Sequence, residues 1–359
     1  MADDYYTLLE IDSIIDGLAT EYGALVTVEK LSQPSAQGRQ AKALRLGKRS
    51  SVGNDAVMII AGVHGAEWGS CEIVLNLAID LLKAYQDNAG LAYGNKSFTA
   101  QEVQDLLDQR DIVIFPLVNP DGRHFSRTAI GRESWRRNCN PAYSPRDPEA
   151  IGVDINRNFD FLFDLTAFAP GSGVSASDSL SKPDFYQGPQ AFSEAETQNV
   201  RELLDKYPRT RWFVDVHCTG QFIHYVWGDD LHQQADSAMN FRLRNAQVDS
   251  QRGLPGSGYG EYLHPNDLTQ METLARRFVA DLQAVGGTIY SEGPTFEVTP
   301  YSGTSHDYAY SRHLVDLTKG KVLGFVVEWG RFDPQPLWPD MQGHIREVSA
   351  GLIGFCLAT

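Results

Sequence analysis

The strongest constraint on this chain is a set of short runs that stay apolar at successive positions: Val57 to Ala61, Ile112 to Phe115 and Val322 to Val327. A strand with one wet face alternates, whereas an unbroken run has to be covered on both sides. Trp212-Phe-Val-Asp-Val216 repeats the pattern with one acid inside it. Helical spacing lies between these runs, over 5–20, 66–85, 99–109, 193–206, 267–284 and 340–356, and residues 25–28 and 41–46 read as a hairpin. Strands alternating with helices predict an α/β fold with a parallel or mixed sheet and helices on both faces. In such sheets ligands bind beyond the carboxyl ends of the strands, where the polar clusters of this sequence fall.

No break in composition and no internal period divides the 359 residues, so a single domain over 1–359 is expected. Residues 118–160 form a long arginine-bearing loop read as functional. The Gly/Ser/Pro-rich stretch 169–190 reads as surface filler, an insertion near 165–185. The net charge of −15 opposes binding to a phosphate backbone, which excludes nucleic acid as a partner. There is no apolar stretch of membrane-spanning length. Cys71, Cys139, Cys218 and Cys356 form no CxxC pair, although one or two disulfides remain open. The amino terminus carries no secretory leader, so the chain is expected to be cytoplasmic, or secreted or periplasmic after removal of one.

His64 and Glu67 lie where the 57–61 strand turns into a helix, three residues apart, and His217 ends the 212–216 strand at the same sheet edge. Two nitrogens and one carboxylate leave a position open for water, as a catalytic zinc requires. HxxE by itself is equally a loop histidine and a helix-start acid. Glu328 closes the 322–327 strand, where an unpaired carboxylate is costly, which makes it a candidate general base or an acid paired with Arg331. Trp135-Arg-Arg137 and Asp154-Ile-Asn-Arg157 bring permanently charged donors suited to carboxylates and developing oxyanions.

The ordered motifs His64-Gly-Ala-Glu67, Asn119-Pro-Asp-Gly122, Trp135-Arg136, Gly152-Val-Asp-Ile-Asn-Arg-Asn158, Phe192-Ser-Glu-Ala-Glu196, His217, Ser302-Gly-Thr-Ser-His-Asp307 and Glu328 span nearly the whole sequence. With them the chain resembles the zinc metallocarboxypeptidases of the carboxypeptidase A type. The resemblance implies a central eight-stranded, mixed, mostly parallel twisted sheet flanked by helices, and one Zn2+ per chain held by His64, Glu67 and His217. It implies Glu328 as general base and acid, Arg136 polarising the scissile carbonyl, and Asn156 and Arg157 holding a free C-terminal carboxylate. Asp154 would orient His64 from behind. The implied function is exopeptidase hydrolysis of the C-terminal peptide bond, without a preceding inhibitory segment.

Two features depart from that pattern. Thr299 stands where a tyrosine usually closes over the substrate, leaving Tyr301 as its substitute, and Cys218 follows the histidine ligand as an inert buried thiol or a reactive one. His306 and His224 fall at positions that line the side-chain pocket, with Val326 at its floor. They offer no fixed negative charge, so a terminal Lys or Arg is disfavoured. An aromatic, polar or acidic terminal residue is expected, an acid with pH-dependent affinity. The alternatives are a peptidoglycan stem-peptide amidase or endopeptidase, a deacylase of N-acyl amino acids, and a catalytically silent peptide-binding module.

Overall fold

Each unbroken apolar run becomes an inner strand of one sheet. The structure, a computed structural model, describes residues 4–48, 53–143, 151–297 and 299–359. Its eight-stranded sheet runs Val26–Lys30, Lys42–Leu46, Asp111–Phe115, Ala56–Ala61, Thr210–Cys218, Leu323–Trp329, Phe222–Tyr225, Ser291–Pro294 from edge to edge. The four inner strands from Asp111–Phe115 to Leu323–Trp329 are mutually parallel, and antiparallel pairings flank them.

The sequence pattern explains why these four lie inside. Alternate residues of Ala56–Ala61 enter different cores: Val57, Ile59 and Ala61 pack on one face, Met58 and Ile60 on the other. The first face is covered by the helices Trp68–Asp87, Pro265–Gly286 and Trp338–Ala358, through residues such as Ile73, Phe278 and Phe355. The second is covered by Ala195–Lys206 and Ser305–Val315, through Val200, Leu203 and Ala309. With helices on both faces, neither set of side chains meets water, so alternation in the sequence is lost.

The expectation of a continuous loop needs correction. The 118–160 loop contains a helix, Pro120–Thr128, begun by Asn119 as N-cap with proline at the first position, and a single helical turn at Ile155–Arg157. Residues 144–150 of that loop lie outside the described residues. The outer strands Phe222–Tyr225 and Ser291–Pro294 were not anticipated; each has four residues, too few to show a period. All four cysteines are free and buried, so no disulfide forms. No helix among the described residues is long and apolar enough to cross a membrane.

Candidate active site

Parallel register brings the chemistry to one edge. His217 and Glu328 are direct partners across the adjacent strands Thr210–Cys218 and Leu323–Trp329. His64 and Glu67 sit in the turn between Ala56–Ala61, the strand on the other side, and the helix Trp68–Asp87. Gly65 is required in that turn, because a Cβ there would lie 2.5 Å from the backbone of Gly122 and 2.8 Å from the carbonyl of Trp135.

His64 Nδ1 lies 2.7 Å from Glu67 Oε1, His217 Nδ1 lies 3.0 Å from Glu67 Oε2, and the two Nδ1 atoms are 3.0 Å apart. Acids stand behind both rings: Asp215 Oδ2 is 2.9 Å from His217 Nε2 and Asp154 Oδ1 is 3.4 Å from His64 Nε2. A proton on each Nε2 leaves both Nδ1 lone pairs aimed at each other and at a carboxylate. In that tautomer the two Nδ1 atoms and the Glu67 carboxylate form one donor set facing a single point, which suits a cation. Ligand bonds of roughly 2.0–2.1 Å in a zinc tetrahedron give edges of roughly 3.3 Å, close to these separations. Among the described residues His64, Glu67 and His217 are the one such group, with ligand atoms within 4.8 Å of one another.

The charges around this centre are strongly coupled. Burial alone would raise the pKa of Glu67, yet the His64 and His217 imidazoles hold it well below the usual carboxylate range. Burial would likewise raise Asp154, but Arg136 and Arg157 pull it well down. Arg136 Nε donates to Asp154 Oδ2 at 2.8 Å, so a single carboxylate aligns both His64 and Arg136. Glu328 goes the other way: removal from water, reinforced by the negative charge of Glu67, pushes it up to about 8.

A cleft of about 310 Å³ is lined on its polar side by His64, Glu67, Arg136, Asn156, Arg157 and Glu328. His224, His306, Thr295 and Val326 line its side pocket, and Tyr301 also borders it. The Tyr301 ring lies 5.1 Å from the Arg157 guanidinium carbon. Asn156 is fixed by the Ser305 amide, which donates to its Oδ1 at 2.9 Å. Gly303, at φ +66°, lets that segment approach closely, since a Cβ there would lie 2.1 Å from the Arg157 carbonyl. Cys218 is buried at the cleft wall; its amide donates to Glu67 Oε2 at 3.2 Å, and burial beside Glu67 and Glu328 pushes its thiol pKa well up. Arg331 lies against the ring of Phe332, with its guanidinium carbon 4.9 Å from the ring centre.

A family model described as zinc carboxypeptidase matches residues 11–332. The chain belongs to the zinc carboxypeptidase family. Within this family it is 28% identical over 309 residues to a carboxypeptidase B of Astacus astacus, covering 85% of this chain and 81% of that one. It is 26% identical over 310 residues to carboxypeptidase A2 of Rattus norvegicus, covering 85% of this chain and 59% of the relative. A carboxypeptidase B of Helicoverpa zea is 28% identical over 258 residues, and the chain spans 54% of that relative's length. The fold is that of thrombin activatable fibrinolysis inhibitor, at a TM-score of 0.73 and 19% identity over 99% of this chain and 74% of that one. It is also that of a carboxypeptidase A from Helicoverpa armigera, at 0.68 and 21%, with 99% of this chain and 74% of that one covered.

Two features of this zinc carboxypeptidase family member were misread in the sequence. The 169–190 stretch is no filler: Ser175 and Phe185 line the cleft, and Arg157 donates to the Ser175 carbonyl and, at 3.2 Å, to its hydroxyl. The imidazoles do not titrate near neutrality, because burial lowers His306 to about 3 and His224 to about 4. Asp215 was missed outright. It lies two residues before His217 on the same strand, and the two-residue period places both side chains on one face.

Proposed function

We propose that this cleft is the active site of a zinc-dependent exopeptidase that removes the C-terminal residue of peptides. The carrying observation is the convergence of His64, Glu67 and His217 on one point, with Glu328 beside His217 in register. One zinc ion per chain, held by those three residues, would supply Lewis acidity and an acidified water. Glu328, in register beside His217, takes a proton from the attacking water as oxygen bonds to the carbonyl carbon, and delivers it to the departing amine as the C–N bond breaks. Arg136, held by Asp154, faces the developing oxyanion. Asn156 and Arg157 receive the terminal carboxylate, and Tyr301 over Arg157 covers it.

The side pocket determines which terminal residue is accepted. Glu67 and Glu328 are the only carboxylates that line the cleft among its described residues, and both belong to the reacting centre. His224 and His306 are neutral above about 4 and about 3, so the pocket favours an uncharged polar or aromatic side chain over Lys, Arg or an acid. A binding module has no use for a general base, which weighs against the catalytically silent reading.

A panel of peptides that differ only in the last residue, each with a C-terminal amide control, tests this reading. Release of the terminal residue from free acids but not from amides is expected, with Lys and Arg poorest. Best cleavage after Lys would overturn the pocket assignment, and cleavage confined to peptidoglycan stem peptides would favour the amidase alternative. The variant Glu328→Gln should retain zinc and lose at least about a hundredfold in turnover; undiminished turnover would remove Glu328 from its role.

A further inference from the structure

Gln335 belongs to none of the motifs above, yet its side chain joins the segments that carry them. Its Nε2 donates to the carbonyl of Ala66 at 2.8 Å and to the carbonyl of Glu133 at 2.6 Å. Ala66 immediately precedes Glu67, and Glu133 lies three residues before Arg136. A carboxamide nitrogen has two hydrogens, one for each acceptor, and its oxygen could not face two carbonyl oxygens. Gln335 itself lies on the loop that follows the Leu323–Trp329 strand, which bears Glu328. One amide therefore links three segments that each deliver a group to the reaction centre.

The loop is built to hold this amide in place. Pro334 and Pro336 flank Gln335 and fix the backbone φ on either side of it. The Gln335 amide N–H donates to Asp333 Oδ1 at 2.8 Å, and the Tyr5 hydroxyl donates to the Pro336 carbonyl at 2.7 Å. On the other side, Ser126 Oγ also donates to the Glu133 carbonyl, at 2.7 Å. The Gly65 amide donates to the Arg136 carbonyl at 2.9 Å, so the Arg136 segment is tied to the His64 turn at two points, one of them through Gln335.

We propose that Gln335 is a positioning residue, whose carboxamide sets the separation between the Glu67-bearing turn and the Arg136-bearing segment. This inference rests on the exopeptidase reading above. Gln335 is only half-buried and touches no reacting group, so losing its donors removes one of the two ties between the segments without opening a core. Small displacements of such groups are costly to the chemical step and less so to substrate binding.

The test uses the full chain and the variants Gln335→Glu, Gln335→Ala and Gln335→Lys. Gln335→Glu keeps the size but has no donor and sets carboxylate oxygens against both carbonyls, whereas Gln335→Lys keeps donors within reach. Measured per folded, zinc-loaded molecule, kcat should fall about tenfold in Gln335→Glu and Gln335→Ala. KM should shift by less than roughly threefold. Zinc should also leave these two variants faster when a chelator is added, and Gln335→Lys should recover most of both losses. The proposal is overturned if kcat per folded molecule and the rate of zinc loss match the parent, or if the loss of activity only tracks the unfolded fraction in thermal melts. A parent that releases no terminal residue from any peptide would sink the exopeptidase reading instead, and the chelator rates would still decide whether the clamp exists.

Discussion

Asp215 and Asp154 stand behind the two candidate metal-binding histidines, each nearest the Nε2 atom that faces away from Glu67. Asp215 is fully buried and receives both His217 Nε2, at 2.9 Å, and the Ser305 hydroxyl. Burial by itself would lower the pKa of His217, but the Asp215 and Glu67 carboxylates raise it well above the usual value. A more basic Nδ1 is a better ligand. The variant Asp215→Asn keeps the shape and an acceptor while losing the charge, so zinc affinity should fall about 10–100-fold in competition with a chromophoric chelator. An unchanged affinity would show that Asp215 serves only to hold Ser305. His64, Glu67, His217 and Glu328 were legible in the sequence because each follows or ends an apolar run. Asp215 was not, because an acid inside such a run also reads as a strand interrupted by chance.

Among the elements, those with a long repeating pattern were readable and the short ones were not. The inner strands and the helices Trp68–Asp87 and Pro265–Gly286 follow from their apolar spacing to within a few residues. Phe222–Tyr225 is only half-buried at Phe222 and His224, and Pro120–Thr128 is polar on most positions, so neither shows a core-facing stripe. Ser175 reached the cleft through a loop with no period at all. The helix Ala195–Lys206 carries a testable consequence in its first turn, where Glu196 is buried beside Glu194. Asn138 Nδ2 donates to Glu194 at 2.8 Å and to Glu196 at 3.2 Å, which does not offset the desolvation. Burial, then the Glu194 charge, pushes the Glu196 pKa up to about 8. Between the unfolded carboxyl value of roughly 4.3 and this raised one, the folded chain binds the extra proton. The stability from a protonated Glu196 is therefore full below roughly pH 4.3 and is lost as pH rises to about 8. Glu196→Gln should flatten the decline in melting temperature between pH 5 and pH 8 and melt higher than the parent at pH 8. Parallel melting curves for the two proteins across that range would rule out a neutral Glu196.

At the scale of the whole molecule, the candidate metal centre closes the sheet edge over two neighbouring strands. His217 lies on Thr210–Cys218, and His64 follows its parallel neighbour Ala56–Ala61, while Glu67 starts the helix that covers both. One ligand atom each from His64, Glu67 and His217 lie within 4.8 Å of one another, held there by the surrounding core. Several buried acids, in a chain of net charge −15, add to the repulsion that a divalent ion relieves. A ligand that binds only the folded chain stabilises it by mass action, about 4 kcal/mol at a thousandfold excess over its dissociation constant. Chelation should therefore lower the melting temperature by several degrees, and added zinc should restore it together with peptide hydrolysis. His64→Ala should melt at one temperature with or without chelator, because it has already lost a ligand. If elemental analysis confirms metal removal from the parent and its melting curve does not move, the three side chains are preorganised by the fold alone, and the ion contributes to chemistry without contributing to stability.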